Sequence, residues 1–289
     1  MDLTTLLILL VKASIVTLMV SLGVGLEWDA LREFRHRPWL IVRVLLGTCV
    51  LVPLAALLLL KLPISFQMSV GARFGIALMA LSPSAPLTLR KAQIKGGDRH
   101  LAALLQVAAA LSAIVSIPVL TDVFRSAYQV EGWDISPKTV ALQVALVQVL
   151  PLTAGLLLRH WFPKLATRWA VPLQKAALLV TLAVMGLVLF KVLPRMVSFL
   201  DGNLVALAAM VVMTAVALAI GTAMAGPNPE ERTTTALVTS MRNPGLALLF
   251  AITHGNEVPG VKMAIALYLL VTILATIPFL SWTKGLRRS

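Results

Sequence analysis

The chain has 289 residues, of which 59% are apolar and only 13% charged; its mean hydropathy is +0.92 and its net charge +13. Soluble domains are about half apolar and a quarter charged, so this composition excludes a soluble globular enzyme, a disordered chain and a nucleic-acid-binding protein. The basic excess therefore needs another explanation.

A membrane-spanning helix needs roughly 20 mostly apolar residues. Runs of that size lie near 4–26, 39–61, 68–90 and 101–124, then near 139–159, 172–192, 203–225, 233–254 and 260–282. The first run follows Asp2 rather than a basic region, and no small-residue cleavage site ends it, so it reads as a retained span rather than a signal peptide. The polar loop 125–138, with Glu131, Gly132, Asp134 and Pro137, divides four spans from five. A first repeat over 1–126 and a second over 137–289 follow, within a single membrane domain. Pro194 and the polar patch Asp201–Asn203 separate the sixth span from the seventh. The lone cysteine, Cys49, sits in an apolar run, so no disulfide framework exists.

The charges orient these spans. Arg32, Arg35 and Arg37, then Arg90, Lys91, Lys95 and Arg99, then Arg159, Lys164, Arg168 and Lys175, then Arg232 occupy alternate loops; Lys284, Arg287 and Arg288 join them from the C-terminal tail. The opposite loops hold only Lys61, Arg125, Lys138, Lys191, Arg195 and Lys262. Cytoplasmic loops carry the Lys/Arg excess, which predicts an outside N-terminus and a cytoplasmic C-terminus in the plasma membrane. The +13 is thus mostly topology, and no nucleic-acid partner is expected. Trp28, Trp39, Trp133, Trp161, Trp169 and Trp282 all fall at span ends or in loops, where an interfacial aromatic belt belongs.

Lys12, Arg43, Arg73 and Arg242 lie within spans. Charges there face a bundle interior or a wet cavity. Lys12 and Arg73 read as structural partners, and Arg43 is close enough to a span end to snorkel. Arg242 is different: it lies about nine residues into its span, roughly 14 Å at 1.5 Å per residue, near the midplane. No Asp or Glu lies deep in any span, so a bound anion or main-chain carbonyls must satisfy it. The missing carboxylates also argue against a proton relay or a cation pump. His36, His100, His160 and His254 all lie at span ends or in loops, and no metal-ligand or hydrolase constellation emerges.

Two spans carry helix breakers at depth: Ser82-Pro83-Ser84-Ala85-Pro86 in the third, and Arg242-Asn243-Pro244-Gly245 in the eighth. Proline removes an N–H and clashes with the carbonyl four residues back, so each helix must kink or open. The freed backbone groups must then be covered by protein or line a cavity. The two breaks hold matching places in two halves if the first half lacks an opening helix. Inverted repeats with broken helices at a midplane site describe a secondary transporter.

These motifs resemble a known family. Gly23-Val24-Gly25-Leu26, the Arg37-Pro38, Val52-Pro53 and Leu62-Pro63 steps, the span-three break and Met241-Arg242-Asn243-Pro244-Gly245-Leu246-Ala247 follow the order seen in the bile acid:sodium symporter family, from about residue 15 to 282. The resemblance implies an all-α membrane protein with two broken helices crossing in a core domain (spans two to four and seven to nine), beside a panel domain of spans one, five and six. It implies a substrate bound between core and panel and carried by alternating access. Relative to ten-span bacterial members, the opening helix is the one missing.

The family's sodium sites are largely substituted. Its span-eight pattern Glu-x-x-Met-Gln-Asn-Ser-Gly falls on Val238-Thr239-Ser240-Met241-Arg242-Asn243-Pro244-Gly245. Its span-two Gln falls on Thr48, its Ser-Asn pair on Thr88-Leu89, and its span-four hydroxyls near Gln106 and Ala109–Ala110. A fixed cation, Arg242, thus stands where a coupling sodium ion would bind; otherwise it bridges broken-helix carbonyls. The expected function is secondary transport of a small organic anion, not an enzymatic activity, with no cofactor; the absence of most sodium ligands speaks against sodium coupling without excluding a sodium ion. Arg242, Asn243, Thr48, Ser82, Ser84 and Thr88 are the substrate-site candidates, and Pro83, Pro86, Pro244 and Gly245 break the helices. The rival readings are a sodium-independent uniporter or anion exchanger, and a transporter-like sensor or partner subunit.

Overall fold

With no water in the bilayer core, backbone N–H and C=O groups must pair within the protein, which for an apolar chain of this pattern means helices. A computed structural model describes residues 3–26, 36–83, 88, 97–127, 136–254 and 258–286, and every regular element among them is helical. Ten helices carry the architecture: α1 (Leu3–Gly25), α2 (Pro38–Lys61), α3 (Val70–Leu81), α4 (Arg99–Ala127), α5 (Pro137–Trp161), α6 (Pro163–Asp201), α7 (Leu204–Met224), α8 (Pro229–Ser240), α9 (Pro244–His254) and α10 (Val261–Leu286). Among the described residues, eight spans are long and apolar enough to cross a bilayer when α8 and α9 are taken as one; α3 is a shorter apolar helix. The protein is a multi-pass membrane protein.

The expected spans correspond to these helices, with three differences. The third stops at Leu81, ahead of Pro83; Ser84, Pro86 and Leu89 lie outside the described residues. The sixth reaches well past its expected ends, running 39 residues through both Pro172 and Pro194. At 1.5 Å per residue that is roughly 58 Å, about twice the hydrocarbon thickness. Proline is tolerated in such a helix because neighbouring groups satisfy what it frees. Third, α2 and α5 each contain a π-helical turn, at Gly47–Leu51 and Ala145–Val149. Each turn ends two residues before a proline, Pro53 and Pro151.

Packing sorts the helices into two groups. α1 packs along both α5 and α6, while α7 packs on α8 and α10 on α3, with α2, α4 and α9 completing the second group. This is the panel-and-core arrangement that the resemblance implies. The groups meet where α1 lies against α9, α6 against α10, and α4 against α5. Leu58, Val115, Leu179, Phe190 and Val197 point outward and are well exposed. So large an apolar surface would be a liability in water but suits a lipid-facing belt. Trp39, Trp161 and Trp282 are exposed at helix ends, as an interfacial belt requires.

Candidate functional site

The two breaks meet. Pro83 cannot continue α3, and a residue preceding proline is driven out of the helical region. Ser82 accordingly is extended (φ −95°, ψ 93°), its N–H bonding to Met79 O at 3.1 Å and its hydroxyl to Leu78 O at 2.8 Å. In the other span, α8 ends with Met241 extended (φ −79°, ψ 104°). Asn243 then opens α9 as its N-cap: Oδ1 accepts the Leu246 N–H at 3.1 Å, and Pro244 takes the first helical position. The Asn243 N–H donates to Ser82 O at 3.1 Å, tying one break to the other. Asn243→Ala is therefore expected to cost about 1 kcal/mol through loss of the cap, read as a lowered thermal unfolding midpoint in detergent.

Arg242 fills the crossing and is 2% exposed. Its Nε donates to Met79 O at 3.1 Å, Nη1 to Thr48 O at 3.0 Å and Thr239 O at 3.4 Å, and Nη2 to Ala80 O. Every partner is a main-chain carbonyl, and the carbonyls come from α2, α3 and α8. Two of these helices end here, so their negative dipole ends converge on the guanidinium.

The Thr48 carbonyl is available for a traceable reason. In an α-helix it would accept the Val52 N–H, but the π turn sends that N–H to Gly47 O instead. The wider π pattern would require an N–H at Pro53, which has none. The orphaned carbonyl then accepts from Arg242. The Thr48 hydroxyl meets that of Thr239 at 3.0 Å, fixing α2 to α8 beside it.

The structure thus brings Thr48, Ser82, Thr239, Arg242 and Asn243 together, with Pro83 and Pro244 at the two breaks. Thr88 is fully buried, and its Oγ1 has no hydrogen-bond partner among the described residues. Gln106 is buried on α4. Val238 packs in an apolar cluster with Ile41, Val44, Leu101 and Leu105, and Met241 with Ala102, Leu237 and Leu280. Neither environment contributes an oxygen side chain to the crossing. Away from the crossing, the Arg73 guanidinium lies 5.6 Å from the centre of the Phe66 ring, a cation–π contact that gives this span charge a structural partner. Arg43 is exposed.

On the panel side the crossing borders a cavity of about 20 Å³, lined by Ser14 and Ile15 of α1, Thr181 and Met185 of α6, and Asn243, Pro244 and Gly245. Ser14 and Thr181 share a 3.0 Å hydrogen bond there. That is room for about one water. An organic solute enters only if the two helix groups separate. Sequence patterning missed both hydroxyls because nothing sets either apart from the other hydroxyl residues of its helix, and their apposition arises only from α1–α6 packing.

The profile of the Sodium Bile acid symporter family matches residues 13–221. The match covers the first break but ends before α8, so Arg242 and the second break lie beyond it. No individual curated protein matches the chain.

Proposed function

We propose a transport function from one premise: the chain belongs to the Sodium Bile acid symporter family, whose members are membrane solute transporters rather than enzymes. Our reading is that it moves a small organic anion across the plasma membrane by alternating access, with the N-terminus outside, and without a coupling sodium ion. The observation that carries it is the Arg242 guanidinium held by carbonyls of α2, α3 and α8. A monovalent cation tethered at the meeting of two helix C-termini supplies the charge a bound sodium ion would supply, and it cannot leave during a cycle.

The arrangement also separates charge from contact. Four of the five guanidinium N–H groups are engaged by carbonyls, which leaves one Nη2 N–H for the anion and most of its contacts to other groups. The positive charge remains, next to the N-terminus of α9, where backbone N–H groups favour an anion. In this reading the anion sits against Asn243 and the first turn of α9, with Ser14 and Thr181 opposite, once α1 and α6 swing away.

The test is uptake into proteoliposomes of a panel of carboxylates and sulfonates, with a sodium gradient or with sodium replaced by choline on both sides. Equal rates are expected. A large sodium dependence overturns the tethered-cation reading, and no uptake of any anion overturns the transport reading.

A further inference from the structure

Cations and apolar side chains run in two adjoining stripes along the start of α6. At 3.6 residues per turn, Lys164, Arg168 and Lys175 fall within about 40° of arc on one face of the helix. Leu165, Trp169 and Ala176 each follow one of them in sequence and form the neighbouring stripe, about 100° round. All six are exposed, so no helix among the described residues covers this face. The three cations make no hydrogen bond or ion pair among the described residues, and the sequence has no Asp or Glu between Asp134 and Asp201.

The depth of these residues follows from the length of the helix. From Trp169 to Lys191 the rise is roughly 33 Å at 1.5 Å per residue, about the hydrocarbon thickness. Trp161, Phe162 and Trp169 are exposed at this end of the helix, as residues at headgroup level are. Lys164 and Arg168 therefore lie among headgroups, and Lys175 lies roughly 9 Å deeper than Trp169. Helical side chains lean toward the N-terminus of their helix, which here is the interface. The Lys175 ammonium thus snorkels up toward Arg168. A charge at that depth on a lipid-facing surface is costly, and Lys164 and Arg168, one turn apart, repel. An anion at the level of the interface relieves both. Below Trp169 the neighbouring stripe stays apolar and exposed through Leu179 and Ala183.

We propose that this face of α6 binds an anionic phospholipid in the leaflet on the side of the basic loops. Lys164, Arg168 and Lys175 hold the phosphate, and the acyl chains lie along Leu165, Trp169 and Ala176. A soluble anion has no use for the apolar stripe, and an acidic peptide cannot follow it into the hydrocarbon. A zwitterionic lipid supplies the chains without a net charge, so the three cations set a preference for anionic over zwitterionic lipid. Because α6 belongs to the group of α1 and α5, the bound lipid fastens that group to one leaflet. The site depends on the membrane setting of α6 and not on the transport reading above.

The experiment uses the full chain in vesicles of phosphatidylcholine with a minor share of phosphatidylglycerol. One lipid or the other is brominated on its acyl chains. Fluorescence quenched in the unaltered protein but not in Trp169→Phe reports the lipids beside Trp169. Phosphatidylglycerol is expected to be enriched there severalfold over its share of the bilayer, less so in high salt. The combined substitutions Lys164→Gln, Arg168→Gln and Lys175→Gln should return it to that share. The relative association constant should fall by up to roughly fivefold for each cation removed. The combined substitutions Lys164→Arg, Arg168→Lys and Lys175→Arg keep the charges and should keep the preference. All these residues are exposed, so the unfolding midpoint in phosphatidylcholine should be the same for the three proteins.

Equal quenching by the two brominated lipids overturns the proposal, and so does a preference that survives neutralisation. A preference lost equally in the charge-keeping protein overturns it too, because its origin is then not the charge. Displacement of phosphatidylglycerol by soluble glycerol phosphate would make the stripe a site for a free anion and likewise overturn it.

Discussion

Arg242→Gln is expected to abolish uptake and to lower stability by at least about 1–3 kcal/mol, the largest effect of any single change at the crossing. The guanidinium serves four carbonyls on three helices. A glutamine amide reaches two of them at most. Met79 O keeps the Ser82 N–H, so at least one buried carbonyl is left unpaired, costing about 1–3 kcal/mol. Arg242→Lys keeps the charge but offers three donors from one point on a flexible stem, in place of a planar fork, and cannot span the same set. The expected order of unfolding midpoints in detergent is Arg, then Lys, then Gln. If the carbonyl cage is a cation site with a tethered occupant, Arg242→Gln should also become more stable in sodium than in choline, whereas the unaltered protein should not distinguish them. Equal behaviour of the two proteins would mean that Arg242 braces the backbone without standing in for an ion.

Gly155→Leu should separate α1 from α5 and leave little folded protein. A Cβ at Gly155 would lie 2.4 Å from Val20 O and 3.0 Å from the Gly23 Cα; one at Gly23 would lie 2.4 Å from Leu152 O. Both obstacles are backbone, which cannot rotate aside. In lipid, helices associate through close backbone packing of small residues and not through the hydrophobic effect, so nothing compensates for the lost approach. Even Gly155→Ala should destabilise by about 1–3 kcal/mol, the usual penalty for overpacking. Gly186→Ala is the control, since a Cβ there meets nothing within 4 Å. Fluorescence-detected chromatography before and after heating measures both, and an unaffected Gly155→Leu protein would show that α1 and α5 pack differently.

The two cases show different degrees of legibility. The positions of the breaks could be read because proline acts on its own helix wherever the rest of the chain lies. Arg242 stood out because a basic residue without a nearby acid is rare at such depth. Its partners could not be read. Thr48 O is free only because a π turn redirects the Val52 N–H, and its hydrogen-bonding mate is 194 residues away in sequence. Pro53 is a local signal for that turn, but many prolines in membrane helices produce kinks without one.

The long apolar runs, the one-sided basic loops and the two proline breaks determined by themselves that this is a multi-pass helical membrane protein with interrupted spans. Those properties are local: apolar length, loop charge and a missing N–H act where they occur in the chain. What the structure alone decided is which carbonyls the breaks leave free, how the helices divide into two packed groups, and where Arg242 finds its partners. Every residue carries a carbonyl, so composition cannot mark the few that lack an intrahelical donor. Only the three-dimensional meeting of α2, α3 and α8 turns them into a seat for a buried cation.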